Sequence, residues 1–165
     1  MPVPAELKAL LVDAGVMFEI LPHTQAYTSI EEARSLGVVA DQVAKTVVVR
    51  TRAGDVLAVV PGGHRLSMRK MQHELDDTHA RLATEDELAA DFPGYELGAV
   101  PPCGGKVSRV FLDQRLLETD TIVFPAGSHA ASVKMKAVDL VKVCHPTVAD
   151  LARELDEERA RPWEG

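Results

Sequence analysis

The sequence predicts a single α+β domain built around a mixed, mostly antiparallel sheet flanked by helices. Its 165 residues are 46% hydrophobic and 26% charged, which is typical of a globular chain and argues against disorder. The length fits one domain over residues 1–165. Short apolar runs are interspersed with segments of helical spacing, but they do not alternate regularly around a glycine-rich phosphate loop. A Rossmann-like parallel sheet is therefore not expected.

The first half of the chain predicts three helices, one single strand and a hairpin. Leucines and an alanine at helical spacing predict a helix over 7–14 that Gly15 ends. A strand over 17–21 follows. A capping box at 29–32 then opens a helix that ends at Gly37. The apolar runs 43–51 and 56–60 predict a β-hairpin, and 66–75 predicts the third helix.

The second half predicts a short helix, three strands and two further helical segments. A second capping box at 84–87 opens the short helix. The strands are expected over 107–113, 121–124 and 132–135, and a helical turn over 138–143. The apolar positions Val148, Leu151, Ala152 and Leu155 predict a final amphipathic helix with an acidic outer face.

Composition also excludes several classes of protein. The net charge of −7 argues against coating nucleic acid through bulk charge. No apolar run approaches the roughly 20 residues that span a bilayer, and the first residues show no signal peptide, so we expect a cytoplasmic protein without a membrane partner. Cys103 and Cys144 form no CxxC motif, and the six histidines show no zinc-binding spacing. No metal or other cofactor is expected.

Lys45 interrupts the otherwise apolar strand 43–49. Side chains alternate along a strand, so Lys45 shares one face with Val43, Val47 and Val49. A lysine in this position either extends its ammonium group to water or holds an anionic partner. The strand alone favours the first explanation, because lysines of that kind are common.

Two loops could carry chemistry. In 98–105, two prolines lie among three glycines and exclude a regular ladder, so the N–H groups of Gly98, Ala99 and Val100 could face a ligand. In 125–129, Gly127 permits close approach of the backbone, while Ser128 and His129 offer polar groups at a strand end. The residues of each loop on their own favour an ordinary turn, and His129 has no evident nucleophile as a partner.

Seven segments, taken in order, resemble the YbaK/prolyl-tRNA-synthetase-associated domain family. The resemblance covers roughly residues 20–143 and rests on the order of the set rather than on any one motif. The segments are 43–48, 57–62, 81–84, 94–102, 110–113, 126–128 and 139–140.

This resemblance implies an aminoacyl-tRNA deacylase that hydrolyses the ester of a mischarged tRNA, with a partly barrel-like sheet as its fold. Lys45 matches the family's strand lysine and is expected to hold the tRNA 3′ end. With Gly98 it forms the implied catalytic set. The residues implied to bind substrate are Tyr27, Thr46, Ala99, Val100, Pro101, Gly127, Ser128 and His129. The implied partners are aminoacyl-tRNA and prolyl-tRNA synthetase, and DNA is not expected.

The identity of the amino acid is open at this stage. The cysteinyl-specific branch of the family tends to carry an acidic residue where this chain has Ser132, and an arginine-bearing loop at 127–129. The chain therefore looks more like the branch that handles small residues such as alanine, on tRNA for proline. The alternative function is a non-catalytic module that binds aminoacyl-tRNA or docks on a synthetase. A metal-dependent hydrolase would need ligand spacings that the sequence lacks.

Overall fold

A computed structural model describes residues 3–103, 107 and 109–154. The helices within these residues are α1 (Ala5–Asp13), α2 (Ser29–Leu36), α3 (Met68–Leu75), α4 (Glu85–Asp91) and α5 (Ala137–Cys144). The strands are β1 (Phe18–Pro22), β2 (Ala44–Thr51), β3 (Gly54–Pro61), β4 (Arg81–Leu82), β5 (Val110–Asp113), β6 (Thr121–Ser128), β7 (Ala131–Lys136) and β8 (Thr147–Ala149).

The strands form two sheets. One has the order β1-β7-β6 and is antiparallel throughout, and the other has the order β4-β2-β3-β5-β8. The second sheet is mixed, because β5 lies parallel to β3 and β8 lies parallel to β5. A single parallel bridge between Val43 and Val123 connects the sheets. The α+β class and the mostly antiparallel pairing are confirmed, but the two sheets do not close into a barrel.

The hairpin of β2 and β3 places Lys45. Its register pairs Lys45 with Val60 and Thr46 with Val59, and the loop is the two residues Arg52 and Ala53. The large core between the sheets includes Ala44, Val48, Leu57 and Val59. The opposite face of the hairpin packs under α3 through Val49, Val56, Ala58 and Val60. The hairpin is therefore buried on both sides except near its polar residues.

Helix caps account for most of the helix boundaries. Ser67 Oγ accepts from the N–H of Lys70, and Thr84 closes a complete capping box with Glu87. The cap of α2 lies one residue earlier than predicted, because Thr28 rather than Ser29 caps the helix and accepts from the N–H of Glu31. With Thr28 as the cap, its partner in the helix is Glu31, and Glu32 lies on the buried side of α2.

The predicted final helix is wrong over 148–154, and Leu155 lies outside the described residues. The chain there forms β8 and then an extended segment. The cause is Asp113, which is fully buried and accepts hydrogen bonds from the N–H groups of Leu151 (2.8 Å) and Ala152 (2.9 Å). These bonds, together with the parallel pairing of β8 with β5, hold the segment in place against β5.

The predicted strand over 107–113 is shorter in the structure, where β5 begins at Val110. Residues 104–106 and 108 lie outside the described set. They include Gly104 and Gly105, the last two residues of the predicted 98–105 loop. Within the described ranges, every helix is too short or too polar to cross a bilayer.

Candidate active site

A cavity of about 490 Å³ opens between the hairpin and the loops that follow β1 and α4. Its wall is mostly apolar, and its titratable side chains are Tyr27, Glu32, Lys45 and His129. The remaining lining residues are Ala26, Thr28, Ser29, Ile30, Thr46, Val47, Val48, Gly62, Leu82, Ala83, Leu88, Gly98, Val100 and Pro125. A cavity of this size with a few converging polar groups has the form of a small-molecule site.

Lys45 is half-buried at the edge of the cavity. Its Nζ donates a 2.8 Å hydrogen bond to the carbonyl oxygen of His64. The ammonium group is thus fixed by a main-chain carbonyl, which carries only a partial charge. The ammonium group is therefore fixed in position where the residue borders the cavity.

Thr46, the next residue on β2, lies on the face that packs toward the interior. Its Oγ1 is buried and has no hydrogen-bond partner among the described residues. A buried hydroxyl without a partner costs free energy. This hydroxyl borders the cavity, so a polar atom of a bound molecule could supply the partner.

The two loops singled out in the sequence lie side by side. The N–H of Glu96 donates to the carbonyl of Gly127 (2.9 Å), and the N–H of Gly127 donates to the carbonyl of Ala99 (3.1 Å). Gly127 has φ +84°, and a Cβ there would lie 2.9 Å from both Pro4 Cδ and Tyr95 Cδ1. Only glycine fits this position, and the resulting ladder fixes the Gly98 loop against the end of β6.

The Gly98 loop offers two backbone donors rather than the three predicted. The N–H of Ala99 is used within the loop, where it donates to the carbonyl of Glu96 at 3.0 Å. The N–H groups of Gly98 and Val100 donate to no described residue. Both of these residues line the cavity, and Gly98 reaches its conformation through φ +81°.

His129 connects the Gly98 loop to the segment before α2. Its Nδ1 lies 3.1 Å from the carbonyl oxygen of Ala26, and its Nε2 lies 2.6 Å from that of Leu97. Its own N–H donates to Glu96 Oε2 at 2.8 Å. Carbonyl oxygens only accept hydrogen bonds, so an imidazolium alone satisfies both ring contacts. The geometry therefore favours a fixed positive charge at this edge of the cavity.

Tyr27 covers the outer side of His129. The ring centroids are 4.9 Å apart at an angle of 46°, and Tyr27 is 63% exposed. An exposed aromatic ring at the mouth of a cavity is an available surface for stacking a planar group.

The structure brings together Tyr27, Lys45, Thr46, Gly98, Val100 and His129 at one cavity. Ala99, Pro101, Gly127 and Ser128 are buried beside it and do not line it. The Ser128 hydroxyl accepts from the N–H of Ala130 at 3.0 Å within a turn. These four residues shape the loops in this structure, and their contact with substrate stays a prediction.

Glu32 is a cavity residue that sequence reasoning missed. It is 4% exposed, and its Oε2 lies 2.5 Å from Ser132 Oγ, within hydrogen-bond distance. Burial raises the pKa of the Glu32 carboxyl, and the Ser132 hydroxyl, His23 and His129 oppose that rise. In the sequence Glu32 reads as part of a capping box, which normally faces water. The one available signal was its spacing of four residues from the true cap, Thr28.

No group of three or more His, Cys, Asp or Glu side chains in the described parts of the chain is arranged to hold a metal ion. The residues that line the cavity offer hydrogen-bond donors, two cationic groups and one buried carboxyl.

The fold and the cavity define a class of protein: a small α+β domain with a largely apolar cavity that a lysine, a histidine and two loops border. The chain belongs to the aminoacyl-tRNA editing domain family, whose model matches residues 23–143.

Relatives among known proteins agree with this assignment. The chain is 31% identical over 125 residues to the proline–tRNA ligase of Shouchella clausii, and 29% identical over 119 residues to that of Maridesulfovibrio salexigens. These matches cover 74% and 72% of this chain but only 22% and 20% of the ligases. A solved structure, described as a proposed trans-editing enzyme for prolyl-tRNA synthetase, superposes with a TM-score of 0.82. It is 25% identical, and the match covers 93% of this chain and 99% of that one.

Proposed function

We propose that this protein is an aminoacyl-tRNA deacylase that hydrolyses the ester of a mischarged tRNA. The observation that carries the proposal is the pair of N–H donors, Gly98 and Val100, which border the same cavity as Lys45. An aminoacyl ester is already activated, so an enzyme needs to orient it and stabilise the oxyanion that forms when water attacks. Main-chain donors fixed by a rigid loop are suited to that task.

Lys45 would bind the 3′-terminal nucleotide of the tRNA. Its Nζ is held by the carbonyl of His64 at 2.8 Å, and its positive charge at the edge of the cavity would attract a phosphate of the nucleotide. The Thr46 hydroxyl could take part beside it, since it has no partner among described groups. These contacts position the ester, and no covalent step on Lys45 is needed.

Tyr27 would stack on the terminal base. It is exposed at the cavity mouth against His129, and stacking on an aromatic ring contributes roughly 1–3 kcal/mol per base. With a net charge of −7, the chain lacks the bulk charge for tight tRNA binding. We therefore propose that it acts on the exposed 3′ end in the cytoplasm, with prolyl-tRNA synthetase as a candidate partner.

The substrate that we propose is tRNA for proline carrying a small amino acid such as alanine or cysteine. The proline–tRNA ligase relatives support the tRNA. The cavity volume of about 490 Å³ exceeds that of a small aminoacyl group alone, so we expect the terminal ribose to enter with it.

The test is a deacylation panel on tRNAs mischarged with alanine, cysteine, serine and proline. Wild-type protein should release at least one small amino acid well above the buffer rate, and Lys45→Ala should lower that rate by roughly 100-fold, the effect of losing a fixed transition-state or positioning charge. Lys8→Ala, which removes an exposed lysine from α1, is the matched control and should be unchanged.

Absence of release across the panel would contradict a deacylase. If the same protein then bound aminoacyl-tRNA without turnover, the non-catalytic module would be the correct function. Thermal unfolding of both variants shows whether any loss of activity arises from loss of fold.

A further inference from the structure

Glu32, Ser132 and His23 form a chain of hydrogen bonds that runs from the cavity to the protein edge. Ser132 is fully buried and contacts Glu32 Oε2 at 2.5 Å and His23 Nε2 at 2.8 Å. His23 Nδ1 lies 2.6 Å from the carbonyl oxygen of Thr24. The three residues come from α2, β7 and the segment after β1, so the chain exists only in the folded protein.

The number of protons that these hydrogen bonds need fixes the total charge of Glu32, Ser132 and His23. The Thr24 carbonyl only accepts, so His23 Nδ1 carries a proton. The two remaining contacts need one proton each, and the Ser132 hydroxyl supplies only one of them. The other must lie either on the Glu32 carboxyl or on His23 Nε2. When all of these hydrogen bonds are formed, the three side chains together carry no net charge. Either Glu32 is a neutral acid and His23 a neutral imidazole, or Glu32 is a carboxylate and His23 an imidazolium.

The rest of the cavity gives this carboxyl a distinct role. Glu32 is the one acidic side chain that lines the cavity among the described residues, while Lys45 and His129 contribute positive charge. An aminoacyl ester carries an α-ammonium group next to its carbonyl. The two cations repel that group, and a carboxylate attracts it.

We propose that Glu32 binds the α-ammonium group of the aminoacyl substrate and that the Ser132–His23 relay switches its charge to do so. This inference rests on the proposed function and adds to it how the acyl end is oriented. In the empty site the proton lies on Glu32. When the ammonium group arrives, Glu32 Oε2 gives its proton to Ser132 Oγ while Ser132 gives its own proton to His23 Nε2. The products are a carboxylate and an imidazolium, and the total number of protons is unchanged.

This switch resolves a conflict in the empty site. A permanently ionised carboxylate at 4% exposure would be costly, and burial raises the pKa of Glu32 accordingly. A permanently neutral acid would not attract an ammonium group. With the relay, the carboxyl is neutral when the cavity is empty and charged when a cation occupies it, and the ester carbonyl is directed toward the Gly98 loop.

The test uses two hydrolysis-resistant probes: 3′-(L-alanylamino)-3′-deoxyadenosine and its L-lactyl counterpart, in which a hydroxyl replaces the α-amino group. Calorimetry should show that the wild type prefers the alanyl probe, and that Glu32→Gln binds it roughly 10- to 100-fold more weakly, the range expected for one charge-assisted hydrogen bond. Affinity for the lactyl probe should change less than about threefold. Glu31→Gln removes the same charge from the neighbouring exposed position and should leave both affinities unchanged.

A second measurement follows the proton. Nitrogen-15 NMR of His23 should show conversion to imidazolium when the alanyl probe binds to the wild type. The lactyl probe should not produce it, and neither probe should produce it in Ser132→Ala. A residue with a merely structural role would leave this signal unchanged. Because this measurement uses the wild type and Ser132→Ala, it tests the inference even if Glu32→Gln folds poorly.

Equal loss of affinity for both probes in Glu32→Gln, or a His23 signal that ignores the alanyl probe, would overturn the inference. So would failure of both probes to bind the wild type. Because the probes are not hydrolysed, these outcomes are independent of the deacylation panel. Release of amino acid from tRNA together with no probe preference would leave the proposed function standing and the role of Glu32 refuted.

Discussion

Replacing Gly127 with alanine should destabilise this protein through backbone strain and overpacking together. Gly127 has φ +84°, and the added Cβ would lie 2.9 Å from Pro4 Cδ and from Tyr95 Cδ1. The left-handed backbone costs an L-residue about 1–2 kcal/mol, and overpacking costs a further 1–3 kcal/mol or so. Tyr95 cannot easily yield, because its hydroxyl is bonded to Glu6 Oε1 at 2.6 Å.

The sum is a loss of about 2–5 kcal/mol in the free energy of unfolding, or a fall of roughly 5–15 °C in Tm for a domain of this size. Thermal unfolding followed by circular dichroism measures it. Gly15→Ala is the matched control, since Gly15 has φ +70° but an added Cβ there would meet nothing within 4 Å. Its loss should be the backbone part alone, about 1–2 kcal/mol.

Gly98→Ala separates stability from activity. Here φ is +81°, and the nearest atom to an added Cβ is His129 Cε1 at 3.5 Å, an ordinary contact. Its Tm should therefore resemble that of Gly15→Ala, while deacylation should fall strongly because the methyl group enters the cavity. A Gly127→Ala protein as stable as Gly15→Ala would refute the packing argument, and a fully active Gly98→Ala protein would refute the assignment of the loop to the site.

Three further outcomes are expected. Burial, followed by Asp91, raises the pKa of Asp55 to about 6, so the folded protein binds more protons than the unfolded chain and loses stability as pH rises from about 4 to 6. Between pH 4 and pH 7 the free energy of unfolding, measured with urea, should decrease by about 1–2 kcal/mol less in Asp55→Asn than in the wild type. This figure is reduced from the full effect of the pKa shift because Asp55 is partly solvated. A fall identical to that of the wild type would contradict it. Asp113→Ala should cost about 3–5 kcal/mol, because it frees the buried N–H groups of Leu151 and Ala152, and chemical denaturation with wild-type stability would refute this. Thr84→Ala should cost about 1 kcal/mol through loss of the cap, and an unchanged unfolding midpoint would argue against it.

Local rules predicted those parts of the fold that depend on neighbouring residues. The β2–β3 hairpin follows from two apolar runs around a short polar segment, and α4 follows from its capping box at Thr84. The end of the chain could not be read in this way. Its apolar spacing is compatible with a helix, but the segment is held by contacts that lie far away in sequence: its N–H groups bind Asp113, and β8 pairs with β5.

The site shows the same division. Lys45 was evident because one strand contains it, and both loops were evident from their glycines and prolines. Glu32 was hidden, since its role depends on Ser132, which lies 100 residues away. Ala99 was predicted as a donor, yet a turn that no local pattern reveals uses its N–H. Residues become predictable when the reason for them lies within their own segment.

In the proposed reaction, the position of His129 bears on how water is activated. Both of its ring nitrogens face main-chain carbonyls, at 3.1 Å and 2.6 Å. To act as a general base it would have to leave one of them and lose a proton, which would loosen the link between Ala26 and the Gly98 loop. The site thus gives its best-placed imidazole a structural and electrostatic task. Catalysis there would depend on orientation and on charge: donors from Gly98 and Val100 at the oxyanion, cations at the nucleotide, and Glu32 at the α-ammonium group. A water molecule attacking an ester held in this way needs little further activation, because its proton can pass to the leaving ribose oxygen.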